Sequence, residues 1–276
     1  MDKENKTLWQ RLTDWEKSPI CRYFKKREAG RWVKALKDAD SDVRWGAVEA
    51  LVQIGLPAIP ALIVALKDEE SLVRFGAVNV LDRIEEASLN VEIIKTVPAL
   101  IGALKDTDLE VRRRAVFVLA EIAGGYPGNA EVAKVVPKLI EALKDKDRVM
   151  RERVCNALGW IGEPSAVPAL IYSLKDENDF VQGKASKALE NIFQDCKTRE
   201  KLESFEKGLQ EGYALLRKES IGGKIGKSET ELSKLMKLTA MKKNELAPDK
   251  SILLSGIPKP PKPGKGVYRT ARKIFV

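Results

Sequence analysis

Residues 97–122 read VPALIGALKDTDLEVRRRAVFVLAEI, and this pattern decides the fold. Its central Leu-Lys-Asp occurs at five places in the chain, at intervals of 30, 38, 39 and 31 residues. Counted from each Asp, apolar or small residues follow at offsets of 5, 9, 13 and 16, which share one face of an α-helix. Short apolar segments ahead of the Asp supply a first helix. Two helices in a repeat of 30 to 40 residues are typical of an α-solenoid.

The pattern xVPALIxALKD, followed by D-x-x-x-x-V-R-x-x-A-x-x-A-L-x-x-I, resembles the short HEAT repeats of the phycobilin-lyase-like, prokaryotic type over roughly residues 32–195. The resemblance implies an all-α, right-handed solenoid of about five two-helix repeats that serves as an interaction scaffold. In this family the repeated Asp and Arg form a ladder of hydrogen bonds between adjacent units. That structural role carries over to Asp38, Arg44, Asp68, Arg74, Asp106, Arg112, Asp145 and Arg151. Gln182 replaces the fifth Arg, and we interpret it as the end of the ladder, with no further unit beyond it.

The sequence divides into four predicted segments. Residues 1–31 form an N-terminal helical cap, and residues 32–196 form the solenoid. Residues 197–247 form a C-terminal pair of helices that lacks the Leu-Lys-Asp mark. Residues 248–276 form an extended basic tail, because its Pro and Lys run has no core of its own.

Composition excludes several classes of site. The absence of histidine among 276 residues removes Ser-His and Cys-His nucleophile pairs and zinc sites that need a His ligand. Cys21, Cys155 and Cys196 form neither a disulfide framework nor a four-thiolate metal site, so we expect a reducing compartment. The N-terminus is charged, and no apolar run approaches the roughly 18 to 20 residues that span a bilayer. We therefore expect a cytoplasmic protein without cofactor, metal or membrane contact, and its Lys and Glu content hints at a thermophilic source.

In solenoids of this kind the second helices line a concave groove, where offsets 3, 4, 7, 8 and 11 from the Asp are free of packing. Large apolar residues and arginines at such positions are typical of a protein interface. The predicted protein-binding groove consists of Trp45, Leu72, Phe75, Asn79, Leu109, Arg113, Arg114, Phe117, Arg148, Arg153, Phe180, Lys184 and Lys187. Alternatively, the chain's own N-terminal helix or C-terminal segment covers this stripe.

Basic charge is concentrated near the C-terminus. Residues 197–276 carry 19 Lys and Arg against 9 Asp and Glu, whereas residues 1–196 carry 30 against 31. Such a segment binds an anionic partner, or it is a solvated tail. The tail residues predicted to contact an anionic partner are Lys259, Lys262, Lys265, Tyr268, Arg269, Arg272 and Lys273.

These features predict a non-enzymatic scaffold or adaptor that binds a partner protein in the groove. The basic tail at 248–276, here called the C-terminal arm, is the predicted second contact. The alternative is a nucleic-acid-binding or ribosome-associated protein that holds phosphates with the same arm and the groove arginines. A third class is an enzyme, either a lyase subunit or a base-excision glycosylase. For this class the sequence shows no catalytic constellation.

Overall fold

The computed structural model describes residues 18–87, 91–219 and 227–245. These residues form twelve α-helices and no strand, which confirms the all-α solenoid. Odd-numbered helices are the first members of six pairs, and even-numbered helices are the second members. The helices are α1 (Pro19–Ala35), α2 (Ser41–Ile54), α3 (Ile59–Ala65), α4 (Ser71–Ala87), α5 (Val97–Ala103), α6 (Leu109–Gly125), α7 (Val135–Ala142), α8 (Arg148–Ile161), α9 (Val167–Ser173), α10 (Asp179–Asp195), α11 (Arg199–Glu219) and α12 (Lys227–Glu245). Short 3-10 turns lead into α3, α5, α7 and α9, at Leu56–Ala58, Val91–Thr96, Val132–Lys134 and Pro164–Ala166.

The core lies between a layer of first helices and a layer of second helices. Each second helix from α2 to α10 packs on its neighbours in the same layer. The Leu at offset 13 is fully buried in all five units, as the helical spacing predicts. At offset 5, Val43 is exposed, whereas its counterparts in the four later units are buried. The first unit has no described unit ahead of it to cover this position.

Each Asp of Leu-Lys-Asp forms the turn between the two helices of its pair. In the third unit, Asp106 Oδ1 accepts the backbone N–H of Asp108 at 2.8 Å, and Asp108 Oδ1 accepts the N–H of Glu110 at 2.8 Å. The Asp therefore closes the turn, and the side chain two positions later caps the second helix. The same turn bond is made by Asp38, Asp68, Asp145 and Asp176.

The arginine at offset 6 joins consecutive units. Arg74 Nη1 donates to the carbonyls of Asp68 and Glu69 in its own turn, each at 2.8 Å. Its Nε and Nη2 donate to the two carboxylate oxygens of Asp106 in the next unit, at 2.6 and 2.7 Å. Within a unit, therefore, the Arg binds the backbone of the turn, and the carboxylate that it binds belongs to the following unit.

The individual rungs of this ladder differ. Arg151 binds Asp176 with two hydrogen bonds, at 2.7 and 2.9 Å, so Asp176 is a rung that the predicted set omitted. Arg112 Nε lies 3.1 Å from Asp145 Oδ2, but this contact is an ion pair without hydrogen-bond alignment. Arg44 donates to the carbonyls of Asp38 and Ala39, but the described residues show no hydrogen bond or ion pair between Arg44 and Asp68 of the next unit.

The C-terminal helices α11 and α12 stack on the solenoid as a sixth pair. Helix α11 packs on α9 in the first-helix layer, and α12 packs on α11 and contacts α10. Gln182 donates to the carbonyl of Asp176 at 2.7 Å, as the arginines do in their own turns. The helix pair that follows Gln182 is the C-terminal pair predicted at 197–247, and it supplies no repeat Asp for Gln182 to contact. The ladder ends there because the sixth pair lacks the Leu-Lys-Asp mark.

Helix α1 runs through the boundary predicted at residue 31. It is the first helix of the first unit, and its N-terminus is capped by Ser18, whose hydroxyl accepts the Cys21 N–H at 3.0 Å. Pro19 lies in the first turn, where proline is tolerated. The remainder of the predicted cap, at 1–17, and the predicted tail, at 248–276, lie outside the described residues. The division into four segments stays a prediction.

Candidate protein-binding surface

The exposed side of the second helices, here called the second-helix face, carries several large apolar side chains. Trp45, Trp160 and Phe180 are 64%, 62% and 66% exposed, and Phe117 is 38% exposed. Their offsets from the Asp are 7, 15, 4 and 11, which point away from the buried stripe at offsets 5, 9, 13 and 16. Aromatic residues at positions that the core does not need are typical of a binding surface.

The first hollow on this face lies between α2 and α4 and has a volume of about 450 Å³. Trp45 from α2 and Leu72 and Phe75 from α4 form its apolar wall, together with the half-buried Asn79. Phe75 also packs against the core, so it supports the wall as well as lining it. The guanidinium of Arg83 lies 5.9 Å from the centre of the Trp45 ring, which fixes one side of the hollow.

The second hollow lies between α6 and α8 and has a volume of about 390 Å³. Phe117 and Trp160 form its apolar wall, and their ring centres are 5.9 Å apart. Polar side chains surround this aromatic pair. They are Arg113, Arg153, Asn156 and Asn191. Both hollows fall within the size range of ligand-binding clefts.

Ion pairs neutralise much of the basic charge on the second-helix face. Arg113 donates to Glu110 at 2.6 Å and to Asp147 of the next unit at 3.0 Å. Burial alone would lower the pKa of Arg113, but these two carboxylates outweigh it and raise the pKa. Burial likewise acts to raise the pKa of Asp147, but the Met150 N–H and Arg113 hold it below its ordinary value.

Three more arginines of the second-helix face are paired with carboxylates. Arg114 donates to Asp82 at 2.9 Å, and Arg148 lies 3.4 Å from Glu152. Arg83 forms a two-bond pair with Glu49, whose pKa is lowered mainly by that hydrogen bonding. Three of the four arginines in the predicted groove, Arg113, Arg114 and Arg148, are therefore paired with carboxylates.

The hollows collect eight of the predicted groove residues and separate the other five. Leu109 is half-buried and lines neither hollow. Arg148 and Phe180 form a separate contact, with the guanidinium 5.7 Å from the ring centre. Lys184 and Lys187 are exposed beyond the second hollow. The eight residues brought together are Trp45, Leu72, Phe75, Asn79 and Arg114 in the first hollow, and Arg113, Phe117 and Arg153 in the second.

Sequence reasoning missed Arg83 and Trp160. Both stand at offset 15, four residues after the offset-11 positions Asn79 and Asn156. Residues four apart share a helix face, so the free positions continue one turn further than we predicted. That helical spacing was the signal that could have found them.

Other kinds of site find little support in the described part of the chain. No cluster of three or more potential metal-ligating side chains occurs there. Burial raises the pKa of the Cys155 thiol to about 12, which makes it a poor nucleophile. None of the described helices is by itself long and apolar enough to cross a membrane; α2 and the Leu56–Ala65 segment, bent by 112°, meet the length and composition test only when taken together.

Comparison with known proteins places this geometry in a family. A sequence profile of HEAT repeats matches residues 31–91, 97–190 and 136–221, well over half of the chain. An engineered protein of known structure is similar in fold, with a TM-score of 0.50 and 23% identity, over 78% of this chain and 97% of the other. A designed armadillo repeat protein in complex with the peptide (KR)4 has a TM-score of 0.49 and 21% identity, over 76% of this chain and 99% of the other. No match is found among curated proteins. The chain belongs to the HEAT-repeat family.

Proposed function

We propose that this protein is a non-enzymatic scaffold or adaptor that binds a partner protein on its second-helix face. HEAT repeats commonly mediate protein–protein interaction, and solenoids of this kind are typically not enzymes. The observation that carries the proposal is the pair of aromatic-walled hollows, with Trp45 exposed in one and Trp160 in the other. Tryptophan in a partly enclosed hollow is the residue type that contributes most to protein interfaces.

The phosphate-binding alternative rests on the C-terminal arm rather than on the groove. Arg113, Arg114 and Arg148 already pair with carboxylates, so a phosphate would have to displace those groups. We therefore assign the arm to a second, auxiliary contact with an anionic partner. We also propose a cytoplasmic location, which the three free, buried thiols support.

The test is an affinity capture from native lysate of the source cells with two matched variants. Trp45→Ser combined with Trp160→Ser removes the exposed tryptophan from both hollows, and we expect it to abolish capture of a nuclease-resistant partner. The control is Tyr172→Ser, which removes an exposed aromatic from the first-helix layer and should leave capture unchanged. All three ring positions are more than half exposed, so the fold should tolerate each change.

Equal capture by the wild-type protein and the double variant would contradict the proposal. Loss of capture in the Tyr172→Ser control as well would show a general defect instead, and circular dichroism of each variant separates these cases. A partner that disappears on nuclease treatment would favour the nucleic-acid alternative.

A further inference from the structure

On the basis of the proposed function, we propose that the partner segment bound on the second-helix face is an extended peptide. It carries two large apolar side chains about six residues apart and a carboxylate beside the second of them. The first side chain occupies the Trp45 hollow, and the second occupies the Trp160 hollow. The carboxylate pairs with Arg153. Four observations on this face lead to that chemistry.

The cations around the first hollow already have oxygen partners. Arg83 is paired with Glu49 and Arg114 with Asp82, while Arg44 donates to two backbone carbonyls of its own turn. An apolar side chain can enter this hollow without breaking any of these contacts. A charged side chain would gain no free partner there, so the first anchor is uncharged.

Charge in the second hollow is unbalanced. Arg113 has two carboxylate partners, but Arg153 is exposed and makes neither a hydrogen bond nor an ion pair with any described residue. Lys184 holds the equivalent offset on α10 and is likewise exposed and unpaired within the described ranges. A peptide carboxylate next to an apolar anchor would form an ion pair with Arg153, whereas a basic residue of the peptide would be repelled by it.

Three side-chain amides suit an extended backbone. Asn79 lines the first hollow, and Asn156 and Asn191 line the second. None of them makes a side-chain hydrogen bond within the part of the chain that the structure describes. Each amide offers both a donor and an acceptor, which is what the free N–H and C=O groups of an extended peptide require. A helical ligand has already satisfied those groups internally.

The spacing of the anchors follows from the stacking of the second helices. The first hollow lies between α2 and α4 and the second between α6 and α8, which places their centres two helix positions apart. Packed helices lie about 8–10 Å apart, so the hollows are separated by roughly 16–20 Å. An extended chain advances about 3.3 Å per residue and covers this distance in about five to six residues.

The test uses a phage-displayed library of random 16-residue peptides selected on the full-length protein. We expect selected peptides to share two large apolar residues five to seven positions apart, with Asp or Glu next to one of them. One selected peptide is then synthesised with its acidic residue and with Lys in its place. Arg153→Glu should weaken binding of the acidic peptide about tenfold or more and should favour the Lys peptide. Lys67→Glu makes the same change of charge in the turn of the second unit, away from both hollows. It should alter the binding of neither peptide.

The outcomes separate this inference from the proposed function. If Arg153→Glu binds both peptides as the wild-type protein does, or if selected peptides lack acidic residues, the inference is wrong. If the variant with both Trp45→Ser and Trp160→Ser no longer binds the selected peptides, the second-helix face is still the binding surface, and the proposed function stands. If that variant also binds them unchanged, both proposals fail. If no peptide is enriched, the extended-segment inference is overturned, and capture of a folded partner decides the proposed function alone.

Discussion

Arg74 shows how a single side chain connects two repeats. One guanidinium nitrogen holds the carbonyls of its own turn, and the other two hold Asp106 of the next unit. Lysine could not make these contacts together, because its ammonium group lacks the planar array of donors. Both side chains are about nine-tenths buried, so each depends on the other to offset its loss of hydration.

The same pair makes stability depend on pH. Burial acts to raise the pKa of Asp106, but Arg74 and the Asp108 N–H outweigh it, and the pKa lies below its ordinary value. The pKa of Asp176 also lies below its ordinary value, because Arg151 and the Asn178 N–H outweigh the effect of burial. A lowered pKa contributes stability above the ordinary aspartate value of about 4, and this contribution is lost as the pH falls toward the lowered value.

We therefore expect Asp106→Asn to reduce the free energy of unfolding by about 2 kcal/mol at pH 7, since the amide has one acceptor oxygen where Arg74 binds two and carries no charge. The difference from wild type should shrink as the pH falls below about 4, because the unfolded chain then binds a proton at Asp106 while the folded protein, with its lowered pKa, still keeps this carboxylate ionised. Thermal unfolding followed by circular dichroism from pH 7 to pH 3 measures both. The control is Asp42→Asn, an exposed carboxylate outside the ladder. A constant difference over this range would show that charge pairing is not the cause.

At the scale of helices, glycine sets how closely neighbouring elements approach. A Cβ on Gly159 of α8 would lie 2.7 Å from the Cα of Ala188 in α10. On Gly212 of α11 it would lie 2.6 Å from Ile171 Cδ1 in α9. The sixth pair therefore docks on the solenoid through a contact that glycine permits, although it lacks the repeat marks.

Gly159→Ala should destabilise the protein by about 1–3 kcal/mol, because the added methyl group meets backbone and cannot be relieved by a rotamer change. Gly183→Ala in α10 is the matched control. A Cβ there meets nothing within 4 Å, so removing a helical glycine should stabilise by about 0.5–1 kcal/mol. Urea denaturation measures both changes. Equal effects at the two positions would mean that intrinsic helix propensity, and not the close approach of α8 and α10, decides them.

The sequence predicts the helices better than it predicts their surface. The offsets of 5, 9, 13 and 16 locate all five second helices, because burial of that stripe is imposed by the repeat itself. The pairing of Arg113 with Asp147 and of Arg83 with Glu49 could not be predicted in this way. Those contacts join residues 34 positions apart, and they depend on how far each helix is displaced along its neighbour.

For the whole molecule, the decisive feature is the separation of apolar and charged binding capacity. The solenoid presents two largely neutral hollows, and in the second Arg153 is exposed and has no ion pair or hydrogen bond with any residue that the structure describes. In the sequence, a run rich in Lys and Arg begins with Lys259, Lys262 and Lys265, which lie outside the described residues. The arm can therefore attract an anionic partner from a distance, because electrostatic attraction extends over about 10 Å at 0.1 M salt. The hollows can select among partners, because apolar side chains interact only on direct contact.

This division predicts that binding to anionic polymers resides in the arm. The variant replaces Lys259, Lys262, Lys265, Arg269, Arg272 and Lys273 with Gln. We expect the full-length protein to bind a labelled 20-nucleotide oligo(dT) at low salt, with log affinity falling against log salt by a slope of at most about 4 for six cations. The six-fold variant should lose this binding. Arg153→Gln should retain it, because the second-helix face contributes little free charge. Fluorescence anisotropy across a salt series measures all three proteins, and retention by the six-fold variant would place the phosphate contacts on the helical body instead.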